Sequence, residues 1–249
     1  MSGTVRPIAL YARIVRTYAS WARSLLLLAA VVFVPLGLVH AVAIHAEIGS
    51  LDLGSELKIA AAAAAVLALA ATGLVGEVFY AGAVAISLTH PHDSEPPSLR
   101  EIAGMVSYGP LIAVDLIYGA LVAAGLVALV VPGILCFVYL GLAAPVVEIE
   151  RRGVRAAFAR SWRLVRGRFW TVLAVLVPIE IAGDGVTGLA TGLAHGLLGD
   201  SLLGEWLADS LANVATTPFY AVAAVLLTLE LIAEKDGVSP ELHSAPAAV

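Results

Sequence analysis

The lysines and arginines of this chain lie almost entirely in alternate short stretches between long apolar segments. If the apolar segments cross a membrane six times, thirteen of the fourteen Lys and Arg residues fall on one side, and only Lys58 falls on the other. Because the Lys/Arg content of short loops sets the orientation of membrane helices, this pattern predicts the spans and their direction together. We therefore expect both termini in the cytoplasm.

The composition excludes an ordinary soluble domain. The chain has 249 residues, of which 60% are hydrophobic and 13% are charged, whereas soluble domains carry about 25% charged residues. The apolar runs are too long for a soluble core, so the predicted class is an all-α polytopic membrane protein. The excess of Arg over Lys, with much Ala, Val, Leu and Gly, indicates a bacterial protein, and we expect it in the plasma membrane. We interpret the basic residues as setting the orientation of the spans and contacting lipid headgroups, so nucleic-acid binding is not expected.

The apolar runs predict one membrane domain, residues 1–233, followed by a short disordered cytoplasmic tail, residues 234–249. The Pro132-Gly133 pair predicts a tight turn between the third and fourth spans. A stretch of leucines and acids between the fifth and sixth spans predicts a helix lying on the outer interface. The predicted transmembrane helices are residues 24–46, 57–89, 109–131, 134–150, 169–192 and 211–233.

Each span that runs outward follows a stretch with helical amphipathic spacing. The stretch from Ser98 to Glu101 has the form of a capping box, which marks a helix start. Such helices are expected to lie at the cytoplasmic interface, with the apolar side in the acyl boundary and arginines among anionic headgroups. The fold is thus predicted as three hairpins, each preceded by an amphipathic helix. The residues expected at the interface are Arg13, Arg16, Arg152, Arg155, Arg163, Arg166 and Trp162.

Four of the carboxylates inside the predicted spans are taken as candidate functional residues, because insertion of an ionisable side chain into the bilayer costs about 2.5–3.5 kcal/mol. They are Glu77, Asp115, Glu180 and Glu230. Glu77 and Glu180 lie near the middle of the bilayer, while the other two lie near its inner edge. One interpretation is a polar midplane cavity that binds a proton, a cation or a polar ligand. The other is a set of protonated side chains that bond to backbone carbonyls or neighbours.

Seven arginines lie between Arg151 and Arg168. They can serve as topology signals and lipid anchors. Alternatively, Glu148 and Glu150, which directly precede them, pair with these arginines and hold the interfacial helix against the bundle. Docking of a partner protein is a third interpretation.

Enzymatic and metal chemistry have no sequence support. The chain has no nucleophile elbow, Walker A loop, dinucleotide fingerprint or C-x-x-C pair, so we expect no catalytic activity and no cofactor. The histidines expected near the outer face, His40, His45 and His195, lack the spacing of metal ligands, so no metal site is predicted.

One segment of some 40 residues carries a series of short motifs, and a second group of motifs lies near the end of the chain. The first group is Pro132-Gly133-Ile134, Ala143-Ala144-Pro145-Val146-Val147-Glu148, Gly153-Val154, Ala156-Ala157-Phe158, Arg160-Ser161-Trp162-Arg163-Leu164-Val165 and Gly167-Arg168-Phe169-Trp170, and the second is Thr217-Pro218-Phe219, Leu226-Leu227 and residues 230–237. With these motifs the chain resembles a bacterial, actinobacterial-type family named after the membrane domain of glycerophosphoryl diester phosphodiesterases. The resemblance implies a bundle of about six spans with interfacial helices, without the catalytic phosphodiesterase barrel and without an established reaction.

These observations favour an integral membrane protein without catalytic activity that acts as an accessory or scaffold. The alternative is a transporter or lipid-handling carrier with a polar midplane cavity around Glu77 and Glu180. The expected partners are the lipid bilayer, through anionic headgroups on the cytoplasmic side, and another membrane protein.

Overall fold

A computed structural model describes residues 7–45, 76–89 and 99–237 of the chain, and every regular element in these ranges is an α-helix. The first half of the predicted second span, Lys58, Ser98 of the capping box and the tail from residue 238 lie outside these ranges. The helices are α1 (Pro7–His45), α2 (Gly76–Thr89), α3 (Leu99–Met105), α4 (Tyr108–Ala128), α5 (Val130–Leu140), α6 (Ala143–Glu150), α7 (Val154–Val165), α8 (Phe169–Leu198) and α9 (Leu202–Asp236).

Five stretches of the described chain are long and apolar enough to cross a membrane: most of α1, α4, α5 together with α6, α8 and α9. A sixth helix, α2, is apolar and has 14 residues within the described ranges. The prediction of an all-helical, multi-pass membrane protein is therefore confirmed, whereas the sixth span and the three-hairpin plan stay predictions.

Ion pairs and hydrogen bonds show which helix ends lie together. Arg13 near the start of α1 pairs with Glu230 near the end of α9, and Arg168 just before α8 pairs with Glu234. We call this the basic end of the bundle. At the other, acidic end, His45 contacts the carbonyl of Asp200 in the α8–α9 turn at 3.3 Å. Hence α1 and α8 run away from the basic end and α9 returns to it.

Helix α2 runs back toward the basic end beside α1. The Tyr80 hydroxyl donates to the carbonyl of Leu25 at 2.9 Å, while Gly76, one turn earlier in α2, packs on Leu36 farther along α1. The antiparallel direction follows from these two contacts. It is the direction that the sequence predicts for the second span.

Three predicted elements differ from the structure because helices continue further than expected. The first interfacial helix is not separate, since α1 is unbroken and residues 8–34 contain no Gly or Pro to interrupt it. The prediction of a separate outer interfacial helix is also wrong, because α8 extends to Leu198 and α9 begins at Leu202. Gly199, with a φ of 63°, makes the turn between them.

The predicted tail also begins too early. Helix α9 continues through Glu234 and Lys235 to Asp236 and ends at Gly237, whose φ of 69° is the left-handed conformation of a helix C-cap. Glu234 and Asp236 both form ion pairs with arginines. These residues are therefore part of the folded basic end.

Helices α4 and α5 form a hairpin joined by Leu129 alone. The predicted turn at Pro132-Gly133 is three residues too late. Pro132 lies instead in the first turn of α5, where the missing N–H breaks no helical hydrogen bond. A Cβ atom placed on Gly125 would lie 2.8 Å from Gly133 Cα, so the two backbones touch at these glycines.

The hairpin is shorter than its neighbour α8. Helix α4 has 21 residues and α8 has 30, which correspond to lengths of about 31 Å and 45 Å. Near the basic end, a Cβ atom placed on Gly141 would lie 3.5 Å from the Tyr118 hydroxyl of α4 and 3.4 Å from Leu176 of α8, so these two residues lie at one level. The hairpin tip therefore ends well before the α8–α9 turn.

Two close contacts hold α1 in the bundle. The Tyr11 hydroxyl donates to the carbonyl of Ala174 at 2.7 Å. That carbonyl would normally accept from the residue four positions later, which is Pro178 and has no N–H. Farther along, a Cβ on Gly37 would lie 2.6 Å from the Ser210 hydroxyl, so α1 and α9 cross at this glycine.

The short helices α3 and α7 lie at the basic end. In α7, Ala157, Leu164 and Val165 are fully buried within the protein, and the Ser161 hydroxyl donates to the carbonyl of Tyr139 at 2.7 Å. The apolar face of α7 thus packs on the helical bundle. The expectation that this face enters the acyl boundary is wrong, because the end of the bundle itself offers the apolar surface that the helix covers.

Candidate functional site

Arg160 of α7 is the centre of an ion-pair network at the basic end. Its Nη2 atom lies 2.8 Å from Glu150 Oε1 and also contacts the carboxylate of Asp236, while only 8% of the residue is exposed. The hydrogen bonds to Asp236 and to Glu150 raise the pKa of the Arg160 guanidinium above its usual value. We call Arg160, Glu150 and Asp236 the Arg160 network, which joins α6, α7 and α9.

A left-handed residue brings α7 back beside α6. Arg151 follows the last residue of α6 and has a φ of 51°, the only positive φ of a residue other than Gly in the described ranges. Its side chain bonds to the Met105 carbonyl at 2.6 Å and to the Ser107 hydroxyl at 3.0 Å. Arg151 therefore ties the α6–α7 bend to the start of α4.

Glu148 completes this connection from inside the protein. The residue is 5% exposed, accepts the N–H of Ser107 at 2.6 Å and pairs with Arg151 at 3.0 Å. Glu150 pairs with Arg152 as well as with Arg160. The prediction that Glu148 and Glu150 pair with the arginines that follow them is confirmed.

Two more contacts close the basic end around α9. Glu230 pairs with Arg13, and the ammonium of Lys235 donates to the carbonyl of Arg166 at 2.9 Å. From the sequence, Glu230 was predicted to be a carboxylate inside a span, and Arg13 was predicted to contact lipid headgroups. They are partners, and since 217 positions separate them in sequence no local spacing indicates the pair.

Three arginines of the same segment point away from the network. Arg155, Arg163 and Arg166 are exposed, and within the described ranges none lies within ion-pair distance of a carboxylate. We call them the outward basic face. Arg16 on α1 is also exposed and donates to the carbonyl of Ala12 in its own helix.

Exposed tryptophans accompany this face. Trp162 is 50% exposed and stacks on Tyr139 with ring centres 4.2 Å apart. Trp170, at the start of α8, is 76% exposed and packs edge-on against Phe169. Large aromatic rings with an open side are thus held next to Arg163 and Arg166.

The structure brings the three remaining candidate carboxylates of the predicted spans into one region, although Asp115 was expected near the inner edge of the bilayer. Glu77 of α2 is close enough to Glu180 of α8 for their carboxylates to interact electrostatically, and Asp115 of α4 interacts with Glu77 in the same way. The side chains of Glu77 and Glu180 are exposed on the protein surface, and Asp115 is half-buried. Three helices therefore contribute acids to this region.

Sequence reasoning missed three polar residues of this region. Asp184 lies four positions after Glu180 and so on the same helical face, a spacing that could have revealed it. Asp209 interacts with the charge of Glu77 but was assigned to an outer stretch because α9 was expected to start later. The hydroxyl of Tyr118 is buried without a hydrogen-bond partner and lies within charge range of Asp115.

No group of three His, Cys, Asp or Glu residues that could hold a metal ion occurs in residues 7–45, 76–89 and 99–237. His195 approaches Glu205 at 3.0 Å across the α8–α9 turn.

Residues 101–234, more than half of the chain, match a family model described as a domain of unknown function, DUF7847. The match covers α4 to α8, most of α3 and most of α9, and thus nearly all of the basic end. No curated protein and no solved structure matches the chain.

Proposed function

The chain belongs to the DUF7847 family of unknown function, and we propose that it is a membrane accessory or scaffold protein without catalytic activity. In this role it organises lipid-linked or partner-protein processes at one surface of a bacterial plasma membrane. It crosses the bilayer six times, with its basic end and both termini in the cytoplasm. The resemblance to the phosphodiesterase membrane-domain family, whose matching segment lies inside residues 101–234, agrees with such a role.

The observation that carries the proposal is the division of the seven arginines between Arg151 and Arg168. Four of them pair with carboxylates and join α6, α7, α8 and α9. The other three form the outward basic face. The ion pairs hold α7 in place, while the outward basic face keeps its charges available. Such a surface is suited to binding, because little further ordering is needed when a partner docks.

Photo-crosslinking in native membranes tests the proposal. A benzophenone amino acid replaces Ala156 or Ala159, which are both exposed on α7, and Leu121 on the exposed side of α4 serves as the control position. We expect one protein adduct of constant mass from both α7 positions and none from Leu121. The absence of any protein adduct from α7 in membranes that contain the full chain at natural abundance contradicts the partner-protein part of the role and leaves only the lipid-linked part.

A second function, transport of a proton or cation, is supported by the carboxylates of the spans. Glu77, Asp115 and Glu180 come from three helices, and within the described ranges none pairs with Lys or Arg. Acids at this depth in a bilayer are costly and are commonly found on ion pathways. In this second proposal they form the binding site of a carrier.

Flux into vesicles separates the two functions. Purified protein is reconstituted with a pH-sensitive dye inside, and acidification is compared for the wild type, Glu180→Gln and Asp200→Asn, the last a control at the exposed α8–α9 turn. The carrier function predicts flux that falls at least tenfold in Glu180→Gln and is unchanged in Asp200→Asn. Wild-type vesicles that acidify no faster than empty ones, for protons and for monovalent cations, exclude it.

A further inference from the structure

We propose that the outward basic face, Arg155, Arg163 and Arg166, binds the phosphate groups of anionic phospholipids at the bilayer surface. This inference deepens the proposed accessory function and rests on it, since it names the partner of the same surface. It assigns headgroup binding to these three arginines and removes it from three other residues. The structure pairs Arg13 with Glu230 and Arg152 with Glu150, and Arg16 donates to the carbonyl of Ala12 in its own helix.

The charges of the face call for an anionic partner. The three guanidinium groups are exposed and lack a carboxylate partner in the described part of the chain. Arginine presents paired N–H donors that match two oxygens of a phosphate group. A negatively charged partner with phosphate or carboxylate oxygens therefore fits this face.

The spacing of the charges favours a surface over a small ion. Arg155 and Arg166 are eleven positions apart, which along a helix corresponds to about 16 Å. One phosphate group cannot reach both. A bilayer presents many phosphates side by side, so each of the three arginines can contact a separate headgroup at once.

The neighbouring tryptophans favour a bilayer over an acidic protein. Trp162 lies next to Arg163 in α7, and Trp170 lies in the first turn of α8, where that helix becomes long and apolar. Tryptophan rings concentrate at the headgroup level, where one side of the ring meets the acyl region and the other meets water. The arginines are thus placed where a spanning helix enters the membrane.

The Arg160 network holds the face in this position. Arg160 is on the same helix as Arg155 and Arg163, and Arg166 directly follows the last residue of that helix. The bonds from Arg160 to Glu150 and Asp236 fix the rotation of α7 about its axis. Because α7 is already fixed before a lipid arrives, headgroup binding does not require the helix to form or turn. Only the exposed arginine side chains must become ordered.

Titration of the full chain with single lipids tests the assignment. The protein is purified in detergent, and the binding of phosphatidylglycerol and of phosphatidylcholine is followed by native mass spectrometry. The test variant carries Arg155→Gln, Arg163→Gln and Arg166→Gln. The matched control carries Arg16→Gln, Arg23→Gln and Arg100→Gln, which removes the same number of charges from exposed positions on α1 and α3.

The wild type is expected to prefer phosphatidylglycerol over phosphatidylcholine. A basic residue near an anionic surface contributes about 1 kcal/mol, or about fivefold in affinity, so the test variant should lose roughly a hundredfold. The control variant should keep the preference, and a variant with Lys at the three positions should remain within a few fold of the wild type. In the unaltered protein, the preference should fall as salt is raised.

Three results overturn the assignment. They are equal losses in the test and control variants, no lipid preference in the wild type, and displacement of phosphatidylglycerol by inorganic phosphate at comparable concentration. If the folded test variant keeps its lipid preference but loses the protein adduct formed from Ala159, the face binds a protein. In that outcome the accessory function stands and the lipid assignment fails. If lipid binding follows the prediction while no protein adduct forms, the inference stands and the partner-protein role fails.

Discussion

The hydroxyl of Tyr11 donates to the carbonyl of Ala174, which lies four residues before Pro178 and so receives no backbone N–H from it. A side chain of α1 thus supplies the hydrogen bond that proline removes from α8. In hydrocarbon an unsatisfied carbonyl is costly, since no water is present to replace the donor. Pro178 is tolerated in α8 because α1 packs there.

Removing this hydroxyl should destabilise the protein only while the proline is present. Tyr11→Phe is expected to cost about 1 kcal/mol of unfolding free energy, in the range measured for hydrogen bonds between membrane helices. In a Pro178→Ala background the backbone N–H of residue 178 can bond to the Ala174 carbonyl, so the same substitution should cost little. Unfolding in detergent of the wild type, both single variants and the double variant measures the coupling. Additive effects would contradict this account of the Tyr11 bond.

The Arg160 network should contribute more to stability than any outward arginine. Arg160→Gln leaves Asp236 without a cation and removes one of the two cations at Glu150. We expect a loss of about 1–3 kcal/mol, below the value for a fully buried pair because Asp236 is partly exposed. Arg163→Gln on the exposed side of α7 is the matched control and should change stability by no more than about 0.5 kcal/mol. Equal thermal unfolding midpoints for the two variants would show that the network is not a structural support.

Gly37 should not tolerate a side chain. Its added Cβ would meet the Ser210 hydroxyl at 2.6 Å and Asp209 Oδ2 at 3.0 Å, so Gly37→Ala must push α1 away from α9. The expected cost is about 1–3 kcal/mol. Gly188 in α8 is the matched control, because a Cβ atom added there would meet no other atom within 4 Å. Gly188→Ala should therefore be neutral or stabilise the helix by up to about 1 kcal/mol. If Ser210→Gly fails to recover part of the Gly37→Ala loss, the contact has been assigned wrongly.

The two ends of the bundle should react from opposite sides of the membrane. In a Cys136→Ser background, a cysteine at the exposed Asp200 should be labelled by an impermeant maleimide added outside intact cells. A cysteine at Ala159 on α7 should react only after the cells are opened. The reverse pattern would invert the orientation that the arginines predict.

Local patterns predicted the parts of this fold that depend on neighbours in sequence. Glu148 and Glu150 were expected to pair with the arginines directly after them, and both do so. The role of Asp236 was not foreseen, because 76 positions separate it from Arg160. Composition placed Asp236 in a polar tail, although its ion pair depends on α9 returning to the basic end.

Helix boundaries were the least predictable feature. Hydropathy ends a span where polar residues begin, yet α1 and α9 continue through such residues because nothing in the chain stops a helix there. The early end of the long α9 was therefore treated as an outer stretch, and Asp209 was left out of the midspan carboxylates. The turn at Leu129 was missed for the opposite reason, since it contains neither Gly nor Pro.

The unequal lengths of α4 and α8 affect which bilayer thickness suits this protein best. The α4–α5 hairpin, through α4 at about 31 Å, matches a hydrocarbon layer of about 30 Å, whereas α8, at about 45 Å, is longer than any ordinary bilayer core. The hairpin therefore matches a thinner bilayer on its side of the protein than α8 does on the other side. Mismatch of this kind sorts proteins between membranes of different thickness. The hairpin, rather than the long helices, sets the bilayer thickness that the protein prefers.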